Sequence, residues 1–575
     1  MLEIRLIKMR AGIGRACWQR WWPVLVVVMV GVVAMMPTLL YGISQGNDLR
    51  HHYRVAFSLY DALRAGDWYP GRFDGPNGGY GDFTLRLYPP LTYYLLAAAR
   101  ALAGDWYDAS VWLFVALSVA GGLGAYYYAR QLAAREIAMW AGAFYALAPY
   151  RLNQIHESFL LAEYAGGAIL PFVFACVERV CRNRRWRDVA GLAATYALLI
   201  LTHLPLTVIG SLSLLIYVVF RLGIKGARRV WLQLACGVAL ALAASAFFWV
   251  TMVTEMTWIK ISHINTGSYF DYRQYFLFLK FTVDRFWVYV LASMTALMSL
   301  PAFGLLIRAR HQEKGEAGSE PQQATKSVVI MLLVSLFMLT PLSQPVWRSV
   351  PMLANIQFPW RWLAVSSLAG AVSVSLSMQR WQRVRGHARK LAILAFSGPV
   401  LALAFMGLHF MTPGYYNTRA MFNDEISSIP GSPSLPEWKT IWSHNRLRPM
   451  SAPLEVEGRS VDVVAWGPQR CAFNLGPGFA AEARVRTLFY PHWVAFAGDR
   501  KLETRPDADG ALLITLSNET RSVSLEFREP ARTRIATLIS ICALVLIGAL
   551  WSPAKLERSR AITSQKHGWL VGPMR

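Results

Sequence analysis

The chain has 575 residues, of which 55% are hydrophobic and only 16% charged, and its formal net charge is +24. Soluble globular domains carry about 25% charged residues, so this balance excludes an ordinary soluble protein and indicates a polytopic membrane protein built from long uncharged runs. In such a chain the excess of Lys and Arg belongs to loops that fix orientation rather than to a nucleic-acid surface, and the 22 Trp and 24 Tyr suit interfacial belts.

The first candidate span runs from Trp22 to Tyr41, behind Arg5, Lys8, Arg10, Arg15 and Arg20. Its apolar stretch exceeds a signal-peptide core and no A-x-A site follows, so it reads as an uncleaved helix with a cytoplasmic N-terminus. Further basic clusters stand at Arg130/Arg135, "RVCRNRRWR" (179–187), "RLGIKGARR" (221–229), 308–326, "RWQRVRGHARK" (380–390) and the tail from Lys555. One scheme of about twelve spans puts all of them inside: 22–42, 107–128, 136–150, 159–178, 188–204, 205–221, 230–252, 287–307, 327–342, 362–379, 391–410 and 534–551. The short apolar stretch "PPLTYYLLAAARALAG" (89–104) then has to lie flat at the outer interface. The loop of about 43–106 becomes external, and its Arg50, Arg54, Arg64, Arg72 and Arg86 can meet an anionic ligand.

After Asp48 the apolar residues Leu49, Tyr53, Ala56, Tyr60 and Leu63 recur at helical spacing, with Gly66 as the stop. Asp48 stands where an N-cap belongs, so a cap and a functional carboxylate both stay open. His51 and His52 read as a solvated or hydrogen-bonding helix face. "RFDGPNGGYGDF" (72–83) is rich in glycine, but it lacks the GK[ST] of a phosphate-binding loop and follows no strand. The second external loop, "YRLNQIHESFLLAEY" (150–164), combines Arg151, His156, Glu157 and Glu163. Glu163 lies inside the next apolar run, where a carboxylate is costly unless it is paired or functional. An ion pair with Arg151 is the plain alternative. His203 in "THLPL" suits a helix-end hydrogen bond. The stretch of about 253–286, with Glu255, Lys260, His263, Asp271 and Arg273, reads as a mobile interfacial loop that fixes no chemistry. In "NIQFPWRW", Arg361 between Trp360 and Trp362 is either an aromatic-belt anchor or a phosphate contact.

Residues 411–533 form the one large polar segment. The short runs "SVDVVAW", "ARVRTLFY", "HWVAFAG", "ALLITL" and "SVSLEF", with a turn signal at "DADG", predict a small antiparallel β domain. It reads as an external lid or carbohydrate-contacting module, returned to the membrane by the last span. The division expected is therefore 1–410, 411–533 and 534–575, the last comprising the final span and a basic cytoplasmic tail.

The wording "GND…H…G…YPGRF…GGYG…LYPPLTYYLLA", "YRL…AEY…LPF", "IQFPWRWL" and "YPHWVAFAGD" resembles the bacterial membrane family labelled 6-pyruvoyl-tetrahydropterin synthase-related. The order of parts resembles the GT-C superfamily of membrane glycosyltransferases. The resemblance implies a mainly α, GT-C-like polytopic fold with a C-terminal extracytoplasmic β domain in the bacterial inner membrane. It further implies inverting transfer of a sugar from a polyprenyl-phosphate donor to an envelope glycan or lipid acceptor. Membrane lipids would be partners, and a divalent metal stays open. A lipid or polysaccharide transporter or flippase, or a non-catalytic envelope assembly factor, is the alternative. By that resemblance Asp48 and Glu163 are the catalytic pair, with His52, Arg86, Tyr88, Arg151, Glu157 and Arg361 around the substrate. Tyr88 replaces the lysine or histidine that related transferases carry before Pro-Pro. The family label does not imply pterin chemistry, which needs clustered zinc-binding histidines that this sequence lacks.

Overall fold

The computed structural model describes residues 20–223, 228–260, 270–279, 286–309, 320–381, 385–443 and 447–551. The basic residues before position 20, the linker 311–319, His263 and the tail beyond 551 lie outside the described residues.

Helices dominate up to Phe410, and nine of the later strands form two antiparallel sheets. Five described helices are long and apolar enough to cross a membrane: Trp106–Ala129, Leu161–Asn183, Leu204–Leu222, Arg389–Phe410 and Ala531–Trp551. Two bent pairs, Arg228–Ala244 with Ala246–Trp258 and Gln322–Phe337 with Pro341–Ser349, raise that number to at most seven. The expected spans all fall on helices or bent pairs, but several are too short or too broken to count by length. The helix Arg135–Ala146 stops ahead of Pro149, where a new helix, Pro149–His156, begins. Trp186–Ile200 has only 15 residues.

Local chemistry explains the ends. Asp105 caps Trp106–Ala129 by accepting from the Asp108 N–H at 2.9 Å. The apolar stretch at 89–104 is a 13-residue helix, Leu91–Ala103, closed by Gly104 in the left-handed region at φ 84°. It packs between Leu49–Arg64 and Trp106–Ala129.

The five alternating runs each form a strand, and Leu454–Val456, Arg470–Leu475, Arg500–Leu502 and Thr504–Pro506 are strands in addition. One sheet orders Leu454–Val456, Ala481–Leu488, Ala511–Leu516 and Thr504–Pro506. The other orders Val461–Trp466, Arg470–Leu475, Ser522–Phe527, Trp493–Ala497 and Arg500–Leu502. "DADG" makes the turn before Ala511: the Asp507 side chain accepts from the N–H groups of Asp509 and Ala511, both at 2.8 Å. A separate hydrophobic core fills this region and takes in Tyr80 and Phe83 from the glycine-rich loop.

Candidate functional site

The segment entering the loop of about 43–106 is tied down on both sides. Ile43 and Ser44 pair with Asn417 and Tyr416, and the Ser44 hydroxyl donates to the Ile155 carbonyl at 2.7 Å. Gly46 then passes so close to the second loop that a Cβ there would fall 2.5 Å from the Ser158 and Phe159 backbone. Only glycine fits this approach, and it delivers Asp48 beside the helix that starts at Leu161. Asp48 takes the N-cap position of Leu49–Arg64, yet its side chain caps no backbone N–H. Of the two readings of this carboxylate, the cap is not realised.

Glu163, fully enclosed in the first turn of Leu161–Asn183, is the second acid. Tyr150 donates to its Oε1 at 2.6 Å, and Arg361 Nε stands 3.2 Å from Oε2. His203 Nε2 lies 4.0 Å from the same oxygen, while its Nδ1 accepts from the Leu206 N–H at 3.2 Å, the helix-end bond expected for it. A buried carboxylate at this depth requires such a counter-charge. Both partners of the ion pair follow strained backbone: Phe159 and Gln357, each four residues earlier, have φ 55° and 70°. Non-glycine residues there cost about 1–3 kcal/mol and persist where surrounding structure holds them, often at functional sites.

Burial pushes the Asp48 carboxyl up to about 6; Arg361 pulls it back, and Glu163 and Glu437 add to the rise. Asp48, Glu163 and Arg361 thus share one electrostatic neighbourhood. Tyr88 faces the same three groups, and burial with the nearby Asp48 charge raises its phenol. Its ring lies 5.5 Å from His51 and 5.3 Å from Trp438. Tyr93 meets His52 Nδ1 at 2.9 Å. Neither histidine forms a solvated face, because the helix turns both inward. Burial holds His52 down to about 3 and His51 well below its ordinary value, so both are neutral imidazoles. His51 is only 7% exposed, and neither ring nitrogen has a hydrogen-bond partner. Its ring stacks on Trp438 at 6.2 Å.

Glu437 and Trp438 come from the polar segment, so that segment enters the site itself. The glycine-rich loop accounts for this. Asn77 N–H donates to the Ser432 carbonyl at 3.1 Å and Gly78 N–H to that of Gly431 at 2.9 Å. The Asn77 side chain accepts from Ser434 N–H at 2.8 Å. On the far side Lys260 N–H donates to the Lys439 carbonyl at 3.0 Å and Ile441 N–H to that of Trp258 at 2.9 Å. The turn Pro436–Trp438 is thereby held over Asp48 from both ends. Long-range pairing of this kind leaves no local signal, which hides Tyr93, Glu437 and Trp438 in the sequence, whereas His51 and His203 stand out there only as hydrogen-bonding residues.

Three expected site residues stand elsewhere. Arg151 does not pair with Glu163: its guanidinium packs over the Tyr145 and Tyr164 rings at 4.9 and 4.4 Å and donates to the Tyr164 carbonyl at 3.3 Å. Gly167 leaves it room, since a Cβ there would fall 2.4 Å from Arg151 Nη1. Glu157 meets His409 Nε2 at 3.2 Å, with no contact to Asp48 or Glu163. Arg86 is committed to a different cluster. Its Nε and Nη2 donate to the two oxygens of Glu255 at 2.8 and 2.9 Å, and Nη1 and Nη2 to those of Glu529. Glu255 further accepts from Tyr490 and meets His492 Nε2, both at 2.8 Å, with Arg532 at 3.5 Å. Glu255 therefore belongs to no mobile loop. Arg361 is no belt anchor either: its side chain turns inward, and besides the Glu163 contact it donates Nη1 to the Ile356 carbonyl at 2.7 Å. Its Nη2 donates to no described residue. Among the described residues no three His, Cys, Asp or Glu side chains are placed to hold a metal ion.

Apolar helices of spanning length and an acid–arginine–aromatic site at their ends define a polytopic membrane protein with an enclosed polar centre. The chain belongs to the family of membrane proteins with a 6-pyruvoyl-tetrahydropterin synthase related domain, whose model matches residues 85–409. No curated protein matches it. Among solved structures it is similar to ArnT from Cupriavidus metallidurans bound to undecaprenyl phosphate, at 15% identity and TM-score 0.41, over 65% of this chain and 62% of that one. It is also similar to the Archaeoglobus fulgidus oligosaccharyltransferase AglB with an inhibitory peptide and a dolichol-phosphate, at 12% identity and TM-score 0.43, over 75% and 62%. A third is the arabinofuranosyltransferase AftD from Mycobacteria, at 16% identity and TM-score 0.43, over 72% of this chain and 28% of that one. The chain thus spans less than two thirds of each of these proteins.

Proposed function

We propose that this protein transfers a sugar from a polyprenyl-phosphate donor to an envelope glycan or lipid acceptor on the non-cytoplasmic face of the bacterial inner membrane. In this reading residues 1–410, with the external loop 43–106, are the transferase portion. Residues 411–533 roof the site from outside, and 534–575 return the chain to the cytoplasm, where both termini lie. The observation that carries the reading is Asp48: a carboxylate that caps no helix, is shifted to about 6 and is backed by Glu163 through Arg361. A general base is most effective when its pKa lies near the working pH, and a positioned one contributes about 10²–10⁴-fold.

Asp48 takes the proton of an acceptor hydroxyl as that oxygen attacks the anomeric carbon. The bond from that carbon to the phosphate oxygen breaks, and the lipid phosphate leaves with its electron pair. Arg361 turns its uncommitted Nη2 toward the negative charge that builds on the leaving group. Glu163 and Tyr150 position Arg361 rather than react. Neutral His51 and His52, with Tyr88, supply hydrogen bonds to sugar hydroxyls without adding charge.

The test is mass spectrometry of envelope glycans and lipids from a deletion strain carrying either the wild-type chain or Asp48→Asn at matched membrane levels. The expected result is a glycan or lipid species restored by wild type and absent with Asp48→Asn. Full restoration by Asp48→Asn overturns the reading.

A further inference from the structure

The helix that Asp48 opens has a second polar face. Arg54, Phe57, Ser58, Asp61, Ala62 and Ala65 follow the i, i+3, i+4, i+7 spacing of one helical stripe, and together they line one wall of a cavity of about 330 Å³. The opposite wall carries four prolines, Pro70, Pro76, Pro430 and Pro468, with Phe73. Arg72, Asp67 and Asp74 complete the charged lining. This chamber is distinct from the Asp48–Glu163 centre. At 1.5 Å rise per residue, Arg54 and Asp61 lie about 9 and about 20 Å along the axis from Asp48.

Most charges here are already used. Arg72 pairs with Asp74 and donates to the Pro468 carbonyl at 3.0 Å. Asp67 accepts from Gln469 at 2.9 Å. Two groups are not used. Arg54, only 8% exposed, donates its Nε to Ser432 Oγ at 3.2 Å, and its two terminal nitrogens donate to no described residue. The carboxylate of Asp61, at the exposed end of the stripe, accepts no hydrogen bond from a described residue. The nearby Asp82 charge supports the Arg54 guanidinium, and its terminal donors stay open to a ligand in the cavity. The stripe therefore offers donor, hydroxyl and acceptor in sequence, opposite flat proline and phenyl surfaces. Three aspartates against two arginines leave the lining net negative, which disfavours phosphates and polyanions.

We infer that this cavity binds a neutral or amine-bearing oligosaccharide, whose hydroxyl groups pair with Arg54 and Asp61 while its C–H faces lie against Phe57, Phe73 and the prolines. Its service as the acceptor subsite, feeding a chain end along the helix to Asp48, rests on the transfer reading above; the binding itself does not.

The experiment uses the full chain in nanodiscs on a printed array of neutral, amino-sugar and uronic-acid oligosaccharides, with polar peptides as a further arm. Wild type is expected to bind neutral or amino-sugar spots and not uronates. Asp61→Ala, at an exposed position that leaves folding intact, is expected to weaken binding tenfold or more, and Ser58→Trp, which fills the chamber, to abolish it. No saccharide bound by wild type, binding confined to peptides, strongest binding to uronates, or unchanged binding in Asp61→Ala overturns the assignment. Saccharide binding that follows these expectations in a protein without transfer activity upholds the cavity and removes the transfer reading alone.

Discussion

Two buried charge clusters in this molecule use the same residue types to opposite ends. Around Glu255 both carboxylate oxygens are engaged: Arg86, Tyr490, His492 and Arg532 converge on them, and Glu529 takes the rest of Arg86. The contributors come from the loop of about 43–106, a bent helix, the β region and the last helix, so the cluster fastens these parts together. Around Asp48 the count does not close among the described residues: the Asp48 side chain caps no N–H, neither His51 ring nitrogen has a partner, and Arg361 Nη2 donates to none of them. Saturated buried networks rigidify a fold, whereas incompletely satisfied ones retain groups that a ligand can engage. The contrast distinguishes the fastening from the site.

Removing the saturated cluster's centre has the largest expected effect. Glu255→Ala strands Arg86, His492 and Arg532, and loss of one partner from a buried ion pair costs about 3–5 kcal/mol. Thermal unfolding in detergent is expected to shift down strongly, with earlier proteolysis between 454 and 527; an unchanged melting curve would show that the cluster does not fasten the β region.

The opposite sign is expected at the unsaturated cluster. The Asp48 carboxyl is held near 6 in the folded chain against an ordinary 3.8, so its protonated form is favoured by folding. That contribution is full below about pH 4 and is lost as pH rises through about 6. At neutral pH the ionised group is a burden, and Asp48→Asn is expected to raise stability by about 1–3 kcal/mol while eliminating transfer. A variant that melts lower would place Asp48 among the fastening groups.

The smallest change is expected from His51→Phe. It keeps the stack on Trp438 and removes two nitrogens that bond to nothing, so stability should stay within about 1 kcal/mol of wild type or rise. Loss of transfer with unchanged melting would mark His51 as a ligand contact; a drop in melting temperature would reveal a structural partner.

The sequence carried the periodic part of this picture. The stripe after Asp48, the stop at Gly66 and the alternating strands are local patterns, and they appear where periodicity puts them. Asp48, Glu163 and Arg361 could be selected because polar residues beside apolar runs are conspicuous, and Tyr88 and His52 because of the family resemblance. What could not be read was pairing. Arg151 stands close to Glu163 in sequence, yet Arg361, far along the chain, holds it. Arg86 looked free because Glu255 and Glu529 are remote. Trp438 lies in an unremarkable "PSLPEWKT", and the docking of 431–434 on the glycine-rich loop, with the pairing of 439–441 to Lys260 and Trp258, brings it to Asp48. Strand Arg470–Leu475 was overlooked because Arg470 and Asn474 break the apolar run, although Cys471, Phe473 and Leu475 alternate inward.

The central claim is that Asp48 is a base poised near neutrality under the control of Arg361. The direct measurement is the pH dependence of kcat/KM for sugar transfer by the purified protein, compared with Arg361→Gln. The acid limb of the wild type is expected near pH 6, with activity falling about tenfold per unit below it, and removal of the Arg361 charge is expected to move that limb upward. A profile flat between pH 5 and 8, or an acid limb that stays in place in Arg361→Gln, would contradict the account.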